Sequence, residues 1–355
     1  MEIKFIFFKA LAGDSIFIST DRTNILIDGG YGVTYEEEVQ PKINELESLD
    51  LVVLTHIDAD HICGLIELVE SDKDNREKIK ELWFNSPKSI EVKETKDVDV
   101  SSSQAVLFHD ILEKYEIPTK NNICLVDENS KQECFINNDI KLSLLSPTSS
   151  ELSELKRKHS DKIEPKKCTI NKASWTANEK IDYRETPLSE IDISSIEFGK
   201  SGSVYNNSSI AFLLEYELKK YLFLADANIE TINKSLMALG YSKENRLLVE
   251  FVKLSHHGSR NNINSDFLDI VKTDNFITLT DGESKQNKHP NKDIFRLILQ
   301  HEKRDKHINF IFNYEDVADN ILTKTDEREY AKVSRGEYTF KVYFENIFPF
   351  RRIKL

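Results

Sequence analysis

Short apolar runs separated by glycine, asparagine and aspartate dominate the first part of the sequence. "IKFIFFKA", "SIFIST" and "NILIDGG" are rich in β-branched and aromatic residues and end at turn-forming residues, which predicts strands. "LVVLT" is an uninterrupted apolar run, as expected of a strand that is covered on both faces. "SSSQAVLFHDILEKYEI" has the spacing of an amphipathic helix that opens with serine caps. The pattern predicts an α/β chain in which strands lead into helices.

Residues 149–205 differ from the rest of the chain. This stretch is polar, charged and poorly periodic, which predicts an inserted loop or small excursion and not an independent domain. Strand and helix patterns resume after it, for example in "SIAFLLEYE", "KKYLFLAD" and "KDIFRLILQH". We therefore expect one domain over residues 1–355, with a polar insert at about 149–205.

Charge and composition narrow the classes of protein. The formal net charge is −13, which argues against a dedicated nucleic-acid-binding protein because phosphate contacts need lysine and arginine. No stretch approaches the ~20 consecutive apolar residues of a membrane span. The four cysteines have irregular spacings and no CxxC pair, which is typical of a reducing compartment. These features favour a cytoplasmic protein that does not bind a membrane, and they say little for or against an enzyme.

The stretch "LTHIDADH" places four metal-binding side chains directly after the apolar run "LVVLT". These are His56, Asp58, Asp60 and His61. Alternate residues of an extended chain point to one side, so the first three can converge while His61 turns in as a helix begins. Imidazole and carboxylate together suit first-row divalent metals. Taken alone, the stretch fits a polar turn as well as it fits a metal site.

Polar residues follow three other apolar runs. Asp28 ends "ILIDGG", Asp226 ends "LFLAD", and His256 and His257 follow "FVKLS". Two adjacent histidines are costly to bury without partners, so they are seldom core residues. Four polar sites at the ends of strands favour an active site over four unrelated turns.

The order of these motifs resembles that of the metallo-β-lactamase superfamily. "GDS…ILIDGG…THIDADHICG…FLADAN…KLSHHGS…KHP" is similar to the hydrolase domain of the competence DNA-uptake channel, the ComEC-type branch, over most of residues 3–300. The resemblance implies an α/β (α+β) fold, specifically a four-layer αββα sandwich with metals at one edge of the two sheets.

The resemblance also implies a centre of one or two divalent metal ions, zinc or manganese. Strand alternation points the side chains of His256 and His257 in different directions, so one would bind metal and the other would face the substrate, but the sequence does not decide which. His257 is the favoured ligand. His256 would then contact the reacting group. The implied ligands are His56 and Asp58 for the first ion, Asp60, His61 and His257 for the second, and Asp226 between the two.

Further residues receive roles from the same resemblance. His289 in "NKHPN" would donate a proton to the leaving group or hold an oxyanion; the alternative is an exposed loop histidine. Asp28 would orient a ligand or simply form the turn before two glycines. The expected catalytic residues are Asp60, His256 and His289; Asp28, Asn206 and Ser209 are expected to support the ligands; Arg260 and Lys288 are expected to bind substrate, with Lys253 helping to steer it.

The sequence departs from the superfamily pattern at one ligand position. The superfamily usually supplies another histidine before the bridging aspartate, but this chain offers "NNSS" from Asn206 to Ser209. His109 and His159 lie in the same interval, on a predicted helix and in the polar insert, and are expected to be structural or solvated. The first metal position is therefore poorer in nitrogen, which favours manganese or another hard ion over zinc.

These features together predict a metal-dependent hydrolase, with a phosphodiesterase or nuclease as the leading interpretation. Its substrate would be a phosphodiester, in a nucleic acid or a nucleotide. One alternative is a lactone, thioester or amide hydrolase of the same fold. Another is a catalytically weak scaffold that binds a protein partner through residues 149–205.

Overall fold

The structure is a computed structural model that describes residues 2–89, 104–159, 186–200, 202–282, 289–303, 308–315, 317 and 338–342. Within these ranges no helix is long and apolar enough to cross a membrane.

The first sheet contains six short strands from the N-terminal third of the chain. The strands are β1 (Lys4–Phe7), β2 (Ile16–Ser19), β3 (Asn24–Ile27), β4 (Leu51–Val53), β5 (Leu82–Trp83) and β6 (Thr119–Lys120), and they lie side by side in that order. β1 to β3 form an antiparallel meander, and β3 to β6 are parallel. Helices connect the parallel strands, as such crossovers require.

The helices of this half begin after β3. They are α1 (Gly32–Thr34), which continues through a π-helical turn (Tyr35–Val39) into α2 (Gln40–Asn44), then α3 (Ala59–Ser71), α4 (Lys73–Arg76) and α5 (Gln104–Lys114). α3 starts three residues after His56 and contains both Asp60 and His61.

The second sheet contains eight strands. They are β7 (Glu133–Ile136), β8 (Ile140–Ser146), β9 (Ala211–Tyr216), β10 (Lys219–Phe223), β12 (Phe251–Lys253), β14 (Asn275–Thr278), β15 (Ile308–Phe312) and β16 (Tyr338–Val342); β11 (Leu247–Leu248) and β13 (Val271–Lys272) form a separate pair. The order is β16-β15-β14-β12-β10-β9-β8-β7. β10 to β16 are parallel and β7 to β10 antiparallel.

The remaining helices lie around this sheet and in the polar segment. They are α6 (Ser149–His159), α7 (Val204–Asn207), α8 (Ile229–Ala238), α9 (Ser265–Ile270) and α10 (Lys292–Gln300). α6 occupies the start of the segment expected to be a loop. Its buried Leu152 and Leu155 pack against Val204, a helical spacing that the polar composition conceals. Residues 160–185 lie outside the described part of the chain.

Three apolar clusters show how the elements are layered. Along β4, Leu51 and Val53 join the cluster between the sheets, whereas Val52 joins the cluster beneath α3 and α5. This two-sided burial explains why "LVVLT" is apolar throughout. The second sheet repeats the arrangement, since Leu214 faces the first sheet and Leu213 faces α8 to α10. The layers run helices, sheet, sheet, helices, and the expected four-layer αββα sandwich is confirmed.

The irregular spacing of the cysteines gave no sign of a disulfide, but the structure contains one. Cys63, buried in α3, is disulfide-bonded, while Cys124 and Cys134 are free thiols. Spacing along the sequence does not reveal pairs that are brought together only by the fold.

Candidate metal centre

The candidate site lies at one edge of the sandwich, where strands of both sheets end. His56 follows β4 and Asp28 follows β3 in the first sheet. Asp226 follows β10 and His257 follows β12 in the second sheet. Because these parallel strands end at the same edge, side chains far apart in sequence meet there.

Two groups of side chains have ligand atoms close enough to share a metal ion. The first is His56, His61 and Asp226, and the second is Asp60, His61 and His257. Within each group the ligand atoms lie within 4.8 Å of one another. His61 belongs to both, so the two candidate positions are adjacent.

The hydrogen bonding of these atoms fits a metal centre. Four buried atoms in the two groups have no hydrogen-bond partner within the described part of the chain: Nε2 of His56, His61 and His257, and Oδ1 of Asp226. Burying unpaired polar atoms is costly, and four in one place call for a shared partner. Imidazole nitrogen and carboxylate oxygen are the donors that divalent transition metals bind. The residues present therefore fit such an ion.

Asp28 fixes the orientation of two histidines. Its Oδ2 lies 2.8 Å from Nδ1 of His61 and accepts a hydrogen bond from the Thr55 hydroxyl over 2.7 Å. Because that hydroxyl proton is already donated to Asp28, Thr55 Oγ1 acts as the acceptor for Nδ1 of His56, 3.0 Å away. Both rings thus donate from Nδ1 and direct Nε2 into the site.

A backbone carbonyl group fixes the orientation of the third histidine, His257. Nδ1 of His257 lies 3.0 Å from the carbonyl oxygen of Leu279 and 3.3 Å from Oδ1 of Asp14. Both oxygens can only accept, so Nδ1 carries the proton. Nε2 then faces Oδ2 of Asp60 at 3.4 Å. The structure places His257, and not His256, in a ligand group.

The electrostatics show that the site attracts positive charge. Burial alone would lower the pKa of His61, but Asp28 and Asp60 outweigh burial and raise this pKa to about 10. Burial would also lower the pKa of His257, but the nearby Asp14 carboxylate outweighs burial and raises this pKa well above its usual range. Burial would raise the pKa of Asp60, yet His61 and His257 lower it to about 2. A divalent cation would take the place of the protons that the carboxylates hold on these histidines.

His256 and His289 lie beside the ligand groups. Their ring centroids are 4.8 Å apart, and Nε2 of His256 is 3.7 Å from Oδ2 of Asp226. Burial lowers the pKa of His256 and lowers that of His289 to about 3. Both rings are therefore neutral at pH 7, so each can donate a hydrogen bond but does not carry an acidic proton as an imidazolium would.

The backbone explains why the adjacent histidines diverge. His256 and His257 have positive φ values of 49° and 54°, in a short 3-10 turn and not in a strand. Nδ1 of His256 lies 3.1 Å from Nδ2 of Asn206, from which it can accept a hydrogen bond, and 3.3 Å from Oδ1 of Asn262, to which it can donate; the neutral ring makes one of these two bonds. Their divergence thus comes from a left-handed turn, and the alternation argument gives the wrong reason.

Three further expected residues lie next to the ligand groups but in neither of them. Asp58 is the N-cap residue just before α3, has a side chain that is 40% exposed and lies 3.7 Å from Nε2 of His56, but it belongs to neither ligand group. Asn206 places Nδ2 3.5 Å from Oδ2 of Asp226, next to the ligands. Ser209 is buried, and its hydroxyl has no hydrogen-bond partner among the residues that the structure describes.

The basic residues are arranged differently from the steering surface expected. Lys253 is buried and forms an ion pair with Asp14 between the sheets, so it cannot steer a ligand from solution. Arg260 is 43% exposed and pairs with Asp293 over 2.6 Å. Lys288 lies outside the described residues.

Sequence reasoning missed Asp14, Thr55 and Asn262. Asn262 donates to the carbonyl oxygens of Asp226 and Ala227 and so fixes the loop of the central aspartate. Thr55 precedes His56, and Asp14 lies in the "GDS" motif, so both stood within quoted motifs. Only the fold shows which histidine each one contacts.

The family model described as "Metallo-beta-lactamase superfamily" matches residues 9–122. No curated protein matches the sequence. Solved structures similar to it include the metallo-β-lactamase fold protein YhfI from Bacillus subtilis, with 9% identity, 98% of each chain covered and a TM-score of 0.39. Another is the metallo hydrolase Igni18 from Ignicoccus hospitalis KIN4/I, with 10% identity, 98% of this chain and 99% of that chain covered, and a TM-score of 0.40. A third is Zn(2+)-bound PqqB from Methylobacterium extorquens, with 12% identity, 95% of this chain and 87% of that chain covered, and a TM-score of 0.41.

The matched range contains the "GDS" loop and the whole "THIDADH" stretch. It also contains five of the six strands of the first sheet in full. Residues 9–122 are therefore similar to the metallo-β-lactamase superfamily, and this similarity covers about a third of the chain.

Proposed function

We propose that the protein is a metal-dependent hydrolase that cleaves phosphodiesters, with a nucleic acid or a nucleotide as substrate. The observation that carries the proposal is the convergence of four buried ligand atoms, on His56, His61, His257 and Asp226, that have no hydrogen-bond partner among the residues described by the structure. The ComEC-type resemblance of the motifs supports the phosphodiester class, and we extend the proposal to a cytoplasmic enzyme.

The proposed ligands form two unequal positions. Asp60, His61 and His257 hold one ion, zinc or manganese. His56 and Asp226 hold a second with help from His61 or the exposed Asp58. The second position has fewer firmly held donors, because Asp58 is half-exposed and Asn206 stands where a further ligand would fit.

When bound, divalent cations supply Lewis-acid chemistry and lower the pKa of water towards neutrality. Asp60 is 24% exposed, so its Oδ2 can accept a hydrogen bond from an incoming water molecule and orient it. The neutral rings of His256 and His289 can donate hydrogen bonds to the leaving oxygen. Asn206 and Asn262 hold His256 in position for that contact.

The charge of the site supports a phosphodiester substrate only in the presence of cations. Asp28, Asp60 and Asp226 place three carboxylates at one edge of an acidic protein, and this field repels phosphate. Divalent cations reverse the sign of the field at the ligands and provide the phosphate-binding charge. Arg260 lies three residues after His257 and pairs with Asp293, and it adds a guanidinium near the same edge.

The experiment that tests the proposal compares three substrates after metal removal. The chelated protein is reconstituted with Mn²⁺ or Zn²⁺ and assayed on bis-p-nitrophenyl phosphate, single-stranded DNA and a lactone. His61→Ala serves as the inactive variant, and His109→Gln, on α5 and paired with Glu113, serves as the matched histidine control. Hydrolysis of the lactone alone would replace the phosphodiester proposal with the ester class. A wild-type protein that binds no metal would favour a scaffold.

A further inference from the structure

A buried ion pair connects the two sheets beneath the candidate metal centre. Lys253 ends β12 of the second sheet, and Asp14 lies in the loop that leads into β2 of the first sheet. Their side chains are 1% and 3% exposed. A small cavity between the sheets is lined by this pair together with Asp28 and Thr55, the residues that support His61 and His56.

Asp14 contacts the metal centre through its other carboxylate oxygen. Oδ2 of Asp14 pairs with Lys253, while Oδ1 lies 3.3 Å from Nδ1 of His257. The Asp14 amide also donates to the carbonyl oxygen of Asp60 over 3.3 Å. A Cβ on Gly13 would lie 2.0 Å from that same carbonyl oxygen, so only glycine lets the loop approach this closely. Asp14 is thus held against two members of one ligand group.

Stability alone does not account for this ion pair. Desolvating two opposite charges costs about as much as their attraction returns, and apolar replacements of such pairs are often neutral or stabilising. A lone Asp14 would be an unpaired buried charge close to Asp28 and Asp60, which is strongly unfavourable. Lys253 therefore permits a carboxylate to stand behind His257.

We propose that Asp14 is a positioning residue for His257 and that Lys253 supplies its counter-charge, so that the pair fixes the second-sheet ligand against the first-sheet ligands. This role rests on the proposed function, since it presupposes that Asp60, His61 and His257 hold a metal ion. Oδ1 of Asp14 faces Nδ1 of His257 at 3.3 Å, whereas Asp28 accepts a hydrogen bond from Nδ1 of His61 at 2.8 Å; the hydrogen bond of His257 goes to the Leu279 carbonyl, so Asp14 acts through its charge. Both histidines belong to the same ligand group.

The test removes both charges at once in the full-length protein. In Asp14→Leu/Lys253→Met neither charge is left unpaired, so the fold should persist with a melting temperature near that of the metal-free wild type. Its affinity for Zn²⁺, measured by competition with a chromophoric chelator, should fall about 10- to 100-fold. The visible spectrum of the Co²⁺-loaded variant should also change, because Nδ1 of His257 keeps the Leu279 carbonyl but loses the Asp14 carboxylate that faces it. Asp50→Leu/Lys80→Met removes an ion pair at the opposite end of β4 and should change neither quantity.

A second variant keeps the test decisive if the first does not fold. Asp14→Asn/Lys253→Met keeps an acceptor oxygen for His257 without the charge. Its Zn²⁺ affinity should fall less, and stay higher than that of the Asp14→Leu/Lys253→Met variant. Wild-type Zn²⁺ affinity and an unchanged Co²⁺ spectrum in a folded variant would overturn the positioning role alone. A wild-type chain that binds neither Zn²⁺ nor Co²⁺ would overturn the proposed function itself.

Discussion

Asp28 accepts a hydrogen bond from Nδ1 of His61 over 2.8 Å, across 33 positions of sequence. The same carboxylate, through the hydroxyl of Thr55, determines which nitrogen of His56 carries a proton. One buried aspartate thus directs the free Nε2 atoms of two histidines into the site. Asp28 takes a left-handed backbone conformation to do so, with φ of 56°.

Replacement of Asp28 should weaken metal binding more than it weakens the fold. Asp28→Asn still offers Oδ1 but loses the charge that orients both rings, so we expect metal affinity to fall about 10- to 100-fold. Chelator competition measures this change. Asp50→Asn alters a carboxylate that pairs with Lys80 at the other end of β4 and should leave metal affinity unchanged. Equal losses in the two variants would contradict the role of Asp28.

Removal of a central ligand should abolish hydrolysis and leave the chain folded. His61 belongs to both ligand groups, and Asp226 lies 3.7 Å from Nε2 of His56 and of His256. We expect His61→Ala and Asp226→Ala to lose metal-dependent turnover while keeping the circular dichroism spectrum of the wild type. Wild-type turnover in either variant would remove that residue from the proposed site.

Asn206→His should strengthen the poorer metal position. Nδ2 of Asn206 lies 3.5 Å from Oδ2 of Asp226, so an imidazole at this position reaches the same space. We expect bound metal after desalting to rise from about one to about two ions per chain, because a neutral donor is exchanged for a ligand. Inductively coupled plasma mass spectrometry measures the ratio. A ratio that stays constant or falls would show that Asn206 does not face the second position.

Metal affinity should rise with pH. Burial alone would lower the pKa of His61, but Asp28 and Asp60 raise it from 6.5 to about 10, so an entering cation must displace a proton at neutral pH. The metal-free fold has the opposite dependence. A raised pKa contributes stability that is complete below 6.5 and is lost as pH rises towards 10.

Calorimetric titration with metal between pH 6.5 and 9, in buffers of different ionisation enthalpy, tests this linkage and should detect released protons. Thermal unfolding of the metal-free protein over the same pH range gives the complementary trend. Affinity that falls with rising pH would contradict the assignment of His61 as a ligand.

The sequence revealed the strand ends and the residues placed there, but not their contacts. "LVVLT" and "LFLAD" are apolar because both faces of their strands are covered, so periodicity located the strands before His56 and Asp226 correctly. Lys253 was misjudged because a lysine that ends a strand is usually solvated, and its partner Asp14 lies 239 positions away. Long-range pairings of this kind become readable only once the two sheets are stacked.

The adjacent histidines illustrate the same limit. Extended alternation predicted that His256 and His257 diverge, and they do, but through consecutive left-handed residues ahead of Gly258. Alternation along an extended chain predicted that Asp58 points into the site with His56. Instead Asp58 is the N-cap residue of α3, and its side chain is 40% exposed. A local period holds only while the backbone stays extended.

The hydrolysis of bis-p-nitrophenyl phosphate by chelator-treated protein, before and after metal is restored, tests the central claim most directly. We predict no turnover after chelation, recovery with added metal, and faster turnover with Mn²⁺ than with Zn²⁺, because Asn206 stands where a further imidazole would favour zinc at the poorer position. His61→Ala should not recover under any of these conditions. Turnover that persists without metal, or a metal-loaded wild type that hydrolyses no phosphodiester, would contradict a metal-dependent phosphodiesterase.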